Sequence, residues 1–138
     1  MCVKLKSSGM KPGQINMFTT SIGNGFGQWG FQNGKQYNVR LESIPTIWNK
    51  PQYKRGIISV DSFWESNKQF EQLGKKDLYI GVLYNPEAEW AVITCPANEI
   101  VIPFHHRMPL ILDYDNVLDF MDNKSAIIMP SDQIKLVA

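Results

Sequence analysis

Residues 78–95 read Leu78-Tyr79-Ile80-Gly81-Val82-Leu83-Tyr84, then Asn85-Pro86-Glu87-Ala88-Glu89, then Trp90-Ala91-Val92-Ile93-Thr94-Cys95. Two runs of apolar, aromatic and β-branched residues around a short turn-forming stretch predict a β-hairpin. Outward from it, Lys54–Val60 reads as a buried strand. Tyr37–Leu41 reads as a short strand or extended turn, and Ile100–Ile102, Leu110–Leu112 and a segment within Ile134–Val137 as further short strands. Asp115–Met121 opens on a helix-capping residue and keeps Val117, Leu118 and Met121 at helical spacing. Residues 7–14 and 21–30 are rich in turn formers and read as loops around a short segment near Ile15–Thr20. Eight prolines and ten glycines spread along the chain also favour short elements. The expected class is therefore α+β: a β-rich domain of many short strands with one or two short helices.

A length of 138 residues suits a single domain, 1–138, able to bury roughly two-thirds of its unfolded surface. No repeat or linker divides it. No apolar run approaches the roughly 20 residues of a membrane helix, and the first residues lack the apolar core of a signal peptide. Cys2 and Cys95 are read as reduced thiols, and the expected location is the cytoplasm. Residues 1–55 hold eight bases (Lys4, Lys6, Lys11, Lys35, Arg40, Lys50, Lys54, Arg55) against one acid, Glu42, although the net charge is only +1. Such a base-rich half suits either a solvated charged face or a polyanion whose condensed counterions it displaces.

Position gives Cys2 its interest. Removal of Met1 would leave a free α-amine and a thiol on one residue. An α-amine, with a pKa near 7.7–8.0, is neutral in roughly a tenth of molecules at pH 7, far more often than lysine. A neutral amine adds to an aldehyde as a Schiff base, and the adjacent thiol can close onto the imine carbon as a thiazolidine. Glu65, beside Phe63 and Trp64 at the end of an apolar stretch, reads either as a rim glutamate reaching water or as a general acid with a raised pKa. His105 and His106 are the only histidines; on an extended segment they would point to opposite sides. Zinc is disfavoured, because no Cys-x-x-Cys or His-Glu-x-x-His spacing occurs, and no cofactor is expected. Alternation places Asn38 and Arg40 on one face, suited to phosphate or sugar oxygens. Trp29, Phe31, Phe63 and Trp64 are candidates for stacking on unpaired bases, with at least two of them expected in the core.

Taken in order, these segments resemble the SOS-response-associated peptidase (SRAP) family. The matching fragments are Met1-Cys2, Trp29-Gly30-Phe31, Asn38-Val39-Arg40-Leu41-Glu42, Asp61-Ser62-Phe63-Trp64-Glu65, and Ala97-Asn98 through His105-His106-Arg107-Met108-Pro109. Lys4 stands where the family usually has arginine, Ser62 where it has glycine, and Ser66 where it has tryptophan. The resemblance implies a partly barrel-like sheet and a protein that traps abasic sites in single-stranded DNA as a thiazolidine on Cys2. By the same resemblance, Asn38 would position amine and sugar, and Glu65 and His105 would move protons. Lys4, Trp29, Arg40, Trp64 and Arg107 would contact DNA. The partner would be single-stranded DNA with abasic sites, with neither membrane nor metal. The protein would be a monomer, nucleoid-associated when bound, and self-processing of Met1 would be its peptidase activity. Two alternatives stand beside this reading: a noncatalytic single-strand-binding module, and a cysteine hydrolase or peptidase of the same fold.

Overall fold

The computed structural model describes residues 10–74, 77–122 and 130–137, together with the backbone of Lys4–Lys6. The predicted hairpin forms as β8 (Leu78–Tyr84) and β9 (Glu89–Pro96), antiparallel, with Val82 opposite Val92 and Tyr84 opposite Trp90. Asn85 fixes the turn. Its side chain accepts the Glu89 N–H and donates to the Glu89 carboxylate, both at 3.0 Å. Ala88 takes the left-handed conformation there, with φ 59°.

β8 also pairs along its whole length with β5 (Lys54–Val60), the second predicted strand. From β5 the ladder continues through β2 (Ile15–Thr20) and β3 (Gly23–Trp29) back to β9, so five strands close into a ring. Closure removes the exposed edges that an open sheet of this size would present. Into the ring point Ile58, Ile80, Val82, Trp29, Trp90 and Val92, each buried to within 1% of full exclusion from solvent. The Trp29 and Trp90 indoles stack at 5.3 Å.

The β3 strand corrects the reading of 21–30 as a loop. Gly25 and Gly27 are there for close approach, whereas Gly23, at φ 134° with open space around it, serves the turn from β2. A Cβ on Gly27 would lie 2.7 Å from the Ala88 carbonyl oxygen, and one on Gly25 would press on the Phe18 ring at 3.2 Å. The Trp90 indole N–H donates to the Gly27 carbonyl at 3.0 Å, a bond that depends on that proximity.

A second, four-stranded antiparallel sheet has the order β1 (Lys4–Lys6), β6 (Ser62–Glu65), β7 (Lys68–Gln72), β12 (Ile134–Leu136). β6 and β7 are joined by Ser66 and Asn67, both left-handed at φ 48° and 63°, as a two-residue hairpin requires. Ser62 keeps an ordinary strand conformation and its hydroxyl accepts from Gln69 at 3.0 Å, so no glycine is needed at that position.

Short elements complete the chain. These are α1 (Phe31–Gly34), a turn containing left-handed Gln32 and Asn33; β4 (Asn38–Arg40); β10 (Arg107–Pro109); β11 (Ile111–Leu112); and α2 (Val117–Met121). Three expectations are corrected here. Ile100–Ile102 is not a strand but a turn closed by Asn98, whose carbonyl accepts from Val101 and Ile102. The strand expected at Leu110–Leu112 is broken by Leu110 into β10 and β11. Asp115 lies within a 3-10 turn, Tyr114–Asn116, and α2 starts at Val117 without a side-chain cap. The class is α+β, mostly short strands with a partly ring-like sheet, as expected.

Candidate active site

The site is organised by β9, which changes partners halfway along. Its first residues complete the ring between β3 and β8. Beyond Val92 the same strand takes β4 in parallel on one edge and β10 antiparallel on the other. Asn38 falls opposite Val92, Arg40 opposite Thr94, and Arg107 opposite Pro96. Alternation then buries Val39 and turns Asn38 and Arg40 the other way, as the sequence suggested. Together with Thr94, His105, His106 and Arg107 they line a pocket of about 280 Å³.

Arg107 is the keystone of this pocket and corrects an expectation. It was read as a phosphate contact, yet it is only 6% exposed. Its guanidinium donates to both oxygens of Glu42, the second at 3.1 Å, and to the Thr94 carbonyl and hydroxyl at 2.9 and 3.0 Å. Those bonds tie β10, β9 and the 3-10 turn after β4 (Leu41–Ser43) together. The same hydrogen bonds hold the Glu42 carboxyl below its ordinary pKa. Glu42 and Thr94 are thus parts of the site that the sequence reading did not assign. The Arg-x-Glu spacing of Arg40 and Glu42 was visible, but the long-range partner of Glu42 was not.

Glu65 ends β6 and is 1% exposed. Burial raises its carboxyl pKa to about 8, so it carries its proton at pH 7. Its Oε1 is buried with no hydrogen-bond partner among the described residues, and its Oε2 lies 3.6 Å from Nδ1 of His105. That approach is not an ion pair at neutral pH. The same Nδ1 lies 3.0 Å from the Arg107 backbone N–H and 3.1 Å from the Arg107 carbonyl oxygen, accepting from the first or donating to the second according to the ring's tautomer. The His105 imidazole thus faces a carboxyl that holds its proton.

His105 is aimed by the turn that precedes it. The Asn98 Oδ1 accepts from Ile100 and Val101, its amide donates to the Ser131 carbonyl at 3.0 Å, and the His105 N–H closes onto Val101. Phe104 then docks edge-on against Phe70, which stacks on Phe63. Because residues 101–105 turn and do not extend, His105 and His106 do not diverge as expected. Their rings stack at 4.6 Å, with His105 the member nearer Glu65.

Of the aromatic candidates, Trp29, Phe31 and Phe63 are buried. Trp29 is fully excluded from solvent and donates its indole N–H to the Tyr37 carbonyl, so it offers no face to a base, contrary to the sequence reading. Trp64 is partly exposed, opposite Lys4 in the β1–β6 ladder. Cys2 and the side chain of Lys4 lie outside the described residues. Cys95 is a free, buried thiol whose pKa burial lifts to about 12, which makes it chemically quiet. Among the described residues no group of three or more His, Cys, Asp or Glu is placed to hold a metal, and no helix is long and apolar enough to cross a membrane.

No family model matches the sequence, and no curated protein matches it either. Solved structures do. A structural-genomics crystal structure of a Bordetella bronchiseptica protein superposes with a TM-score of 0.70 at 18% identity, over 94% of this chain and 86% of that one. Another, from Bacteroides thetaiotaomicron, gives 0.69 at 16% identity, over 91% of this chain and 74% of that one. At such identities the likeness shows a shared fold and nothing finer.

Proposed function

We propose that this chain captures abasic sites in single-stranded DNA covalently, through the amine and thiol of Cys2. The steps balance as follows. The α-amine freed by loss of Met1 forms an N–C bond to the aldehyde carbon of the ring-opened sugar. Glu65 supplies the proton with which the former carbonyl oxygen leaves as water, giving the imine. The thiol sulfur adds to the imine carbon, and its proton ends on the nitrogen of the thiazolidine. Of the two protons the amine loses, one completes the departing water and the other returns through His105 to Glu65, while Asn38 and Arg40 face the sugar and phosphate oxygens.

One observation carries this reading: a buried carboxyl that keeps its proton at pH 7 sits at the end of β6, beside the first strand of the chain. Lys4 is paired with Trp64, the neighbour of Glu65. Covalent geometry keeps the Cα of Cys2 within about 7 Å of that of Lys4, wherever it points. A buried acid whose Oε1 has no hydrogen-bond partner among the described residues supports a chemical use over a structural one.

The test is a denaturing gel of protein incubated with a single-stranded oligonucleotide carrying one abasic site, with intact mass first establishing that Met1 is gone. A shifted band that vanishes in Cys2→Ala is expected. Reversible binding without a shifted band would mean a noncatalytic binder, and turnover of a peptide substrate a hydrolase; either overturns the proposal.

A further inference from the structure

A cavity larger than the one at His105 lies elsewhere among the described residues. It is a groove of about 630 Å³ formed where β5 starts, β8 ends and the segment 44–53 crosses them. Lys50, Lys54 and Arg55 line it, and no acid does. Its aromatic wall is Trp48, Tyr53 and Tyr84. Trp48 and Tyr53 meet edge to face at 5.0 Å, and each is braced from behind by Phe31 at 5.4 and 5.5 Å. Both keep part of their surface open to solvent.

Arg55 is the telling member. Its guanidinium is half-buried over the Phe120 ring, 5.1 Å from the centroid, and its one hydrogen bond is a long one of 3.5 Å to the Phe120 carbonyl. All thirteen Asp and Glu of the sequence fall among the described residues, and none of them forms a salt bridge with Arg55. A partly desolvated cation without a carboxylate is an arrangement that an anion from outside completes.

We propose that this groove holds the neighbouring stretch of a single DNA strand, its phosphates on Lys50, Lys54 and Arg55 and an unpaired base against Trp48 and Tyr53. Cations interleaved with aromatic faces are the chemistry of sequence-tolerant single-strand binding. Position supports the same occupant. Arg40, at the reactive pocket, and Ile44, at the groove, are four residues apart across one 3-10 turn. That is at most about 14 Å of backbone, or about four nucleotides at roughly 3.4 Å per stacked base. The two cavities are therefore near enough for one strand to reach both. The inference rests on the DNA reading above for the identity of its polyanion, and it accounts for half of the eight bases in residues 1–55 when Arg40 is counted.

The test uses a fluorescent single-stranded oligothymidylate without an abasic site, so that binding is read apart from adduct formation. Anisotropy titrations of the whole chain compare Lys50→Glu/Lys54→Glu with Lys11→Glu/Lys35→Glu, an equal charge change on exposed lysines that line neither cavity. The groove variant is expected to bind at least tenfold more weakly at 50 mM salt, and the control less than threefold. The slope of log affinity against log salt should fall by about 1.4 in the groove variant, at about 0.7 per single-strand phosphate. Equal losses in the two variants overturn the groove. So does competition by thymidine monophosphate as effective, per nucleotide, as the oligonucleotide, which would assign the groove to a free nucleotide. Adduct formation with free 2-deoxyribose, followed by intact mass, is expected to be unchanged in the groove variant. Loss of that adduct with groove-dependent binding intact would sink the trapping chemistry and leave the groove standing.

Discussion

Replacing Glu65 by glutamine tests the central electrostatic claim without relying on any activity. In the folded protein the carboxyl has a pKa of about 8, against 4.5 for the unperturbed group. Below pH 4.5 it is protonated in both folded and unfolded chains and contributes no pH dependence. Between 4.5 and 8 the unfolded chain has released a proton that the folded chain retains, so folding is disfavoured progressively as pH rises. Each pH unit in that window removes about 1.4 kcal/mol, and at pH 7 the accumulated cost is about 3 kcal/mol. Above pH 8 both states are ionised and the cost levels off. Glutamine has nearly the shape of the protonated acid and does not titrate. The stability difference between Glu65→Gln and the parent should therefore grow in favour of the variant by about 1.4 kcal/mol per unit from pH 5 to pH 8. Any fixed penalty for burying the amide shifts that line without changing its slope. Urea unfolding at pH 5, 6, 7 and 8 measures the difference, and at pH 7 the melting temperatures should have diverged by about 10 °C relative to pH 4. A difference that stays constant across this range would refute the burial argument, and with it the case for Glu65 as a proton donor at neutral pH.

Arg107→Ala should lose about 1.5–3 kcal/mol of stability, because it strips charge-assisted hydrogen bonds from half-exposed Glu42 and buried Thr94; Arg107→Lys should recover less than half, lacking the bidentate fork. Urea midpoints check both, and a salt slope of DNA binding unchanged in Arg107→Gln, which removes the charge, separates this role from a phosphate contact. Gly27→Ala should cost about 1–3 kcal/mol, since the new methyl meets the Ala88 carbonyl oxygen at 2.7 Å in the middle of the ring; a melting temperature equal to the parent's would contradict the close packing described. His105→Ala should slow adduct formation by about 100-fold and His106→Ala by less than about threefold. Single-turnover time courses on an abasic oligonucleotide decide it, and equal slowing would contradict the assignment of the Glu65 neighbour.

What the sequence disclosed, and what it hid, follows from the range of the interactions involved. The 78–95 hairpin and the 54–60 strand were legible because burial writes itself into contiguous apolar runs. Residues 21–30 were not legible. Glycine signals a turn by its φ freedom or a close approach by its missing Cβ, and only the partner distinguishes the two. Here the partner is the Ala88 carbonyl, some 60 residues away in sequence. The same holds at the site. Local alternation placed Asn38 and Arg40 together, and apolar neighbours of Glu65 announced its burial. Arg107, by contrast, is assigned to phosphate only by the family resemblance, and nothing adjacent in sequence reveals what neutralises it. Its partner, Glu42, comes from the far side of β9. Arg55 is the converse case: it read as one of many bases, and folding supplies it with an aromatic ring and no acid. Two arginines of the same apparent kind thus end with opposite needs, one satisfied inside the fold and one left facing a groove. That difference is why counting charges along the chain finds a base-rich half but does not tell which arginines the fold neutralises.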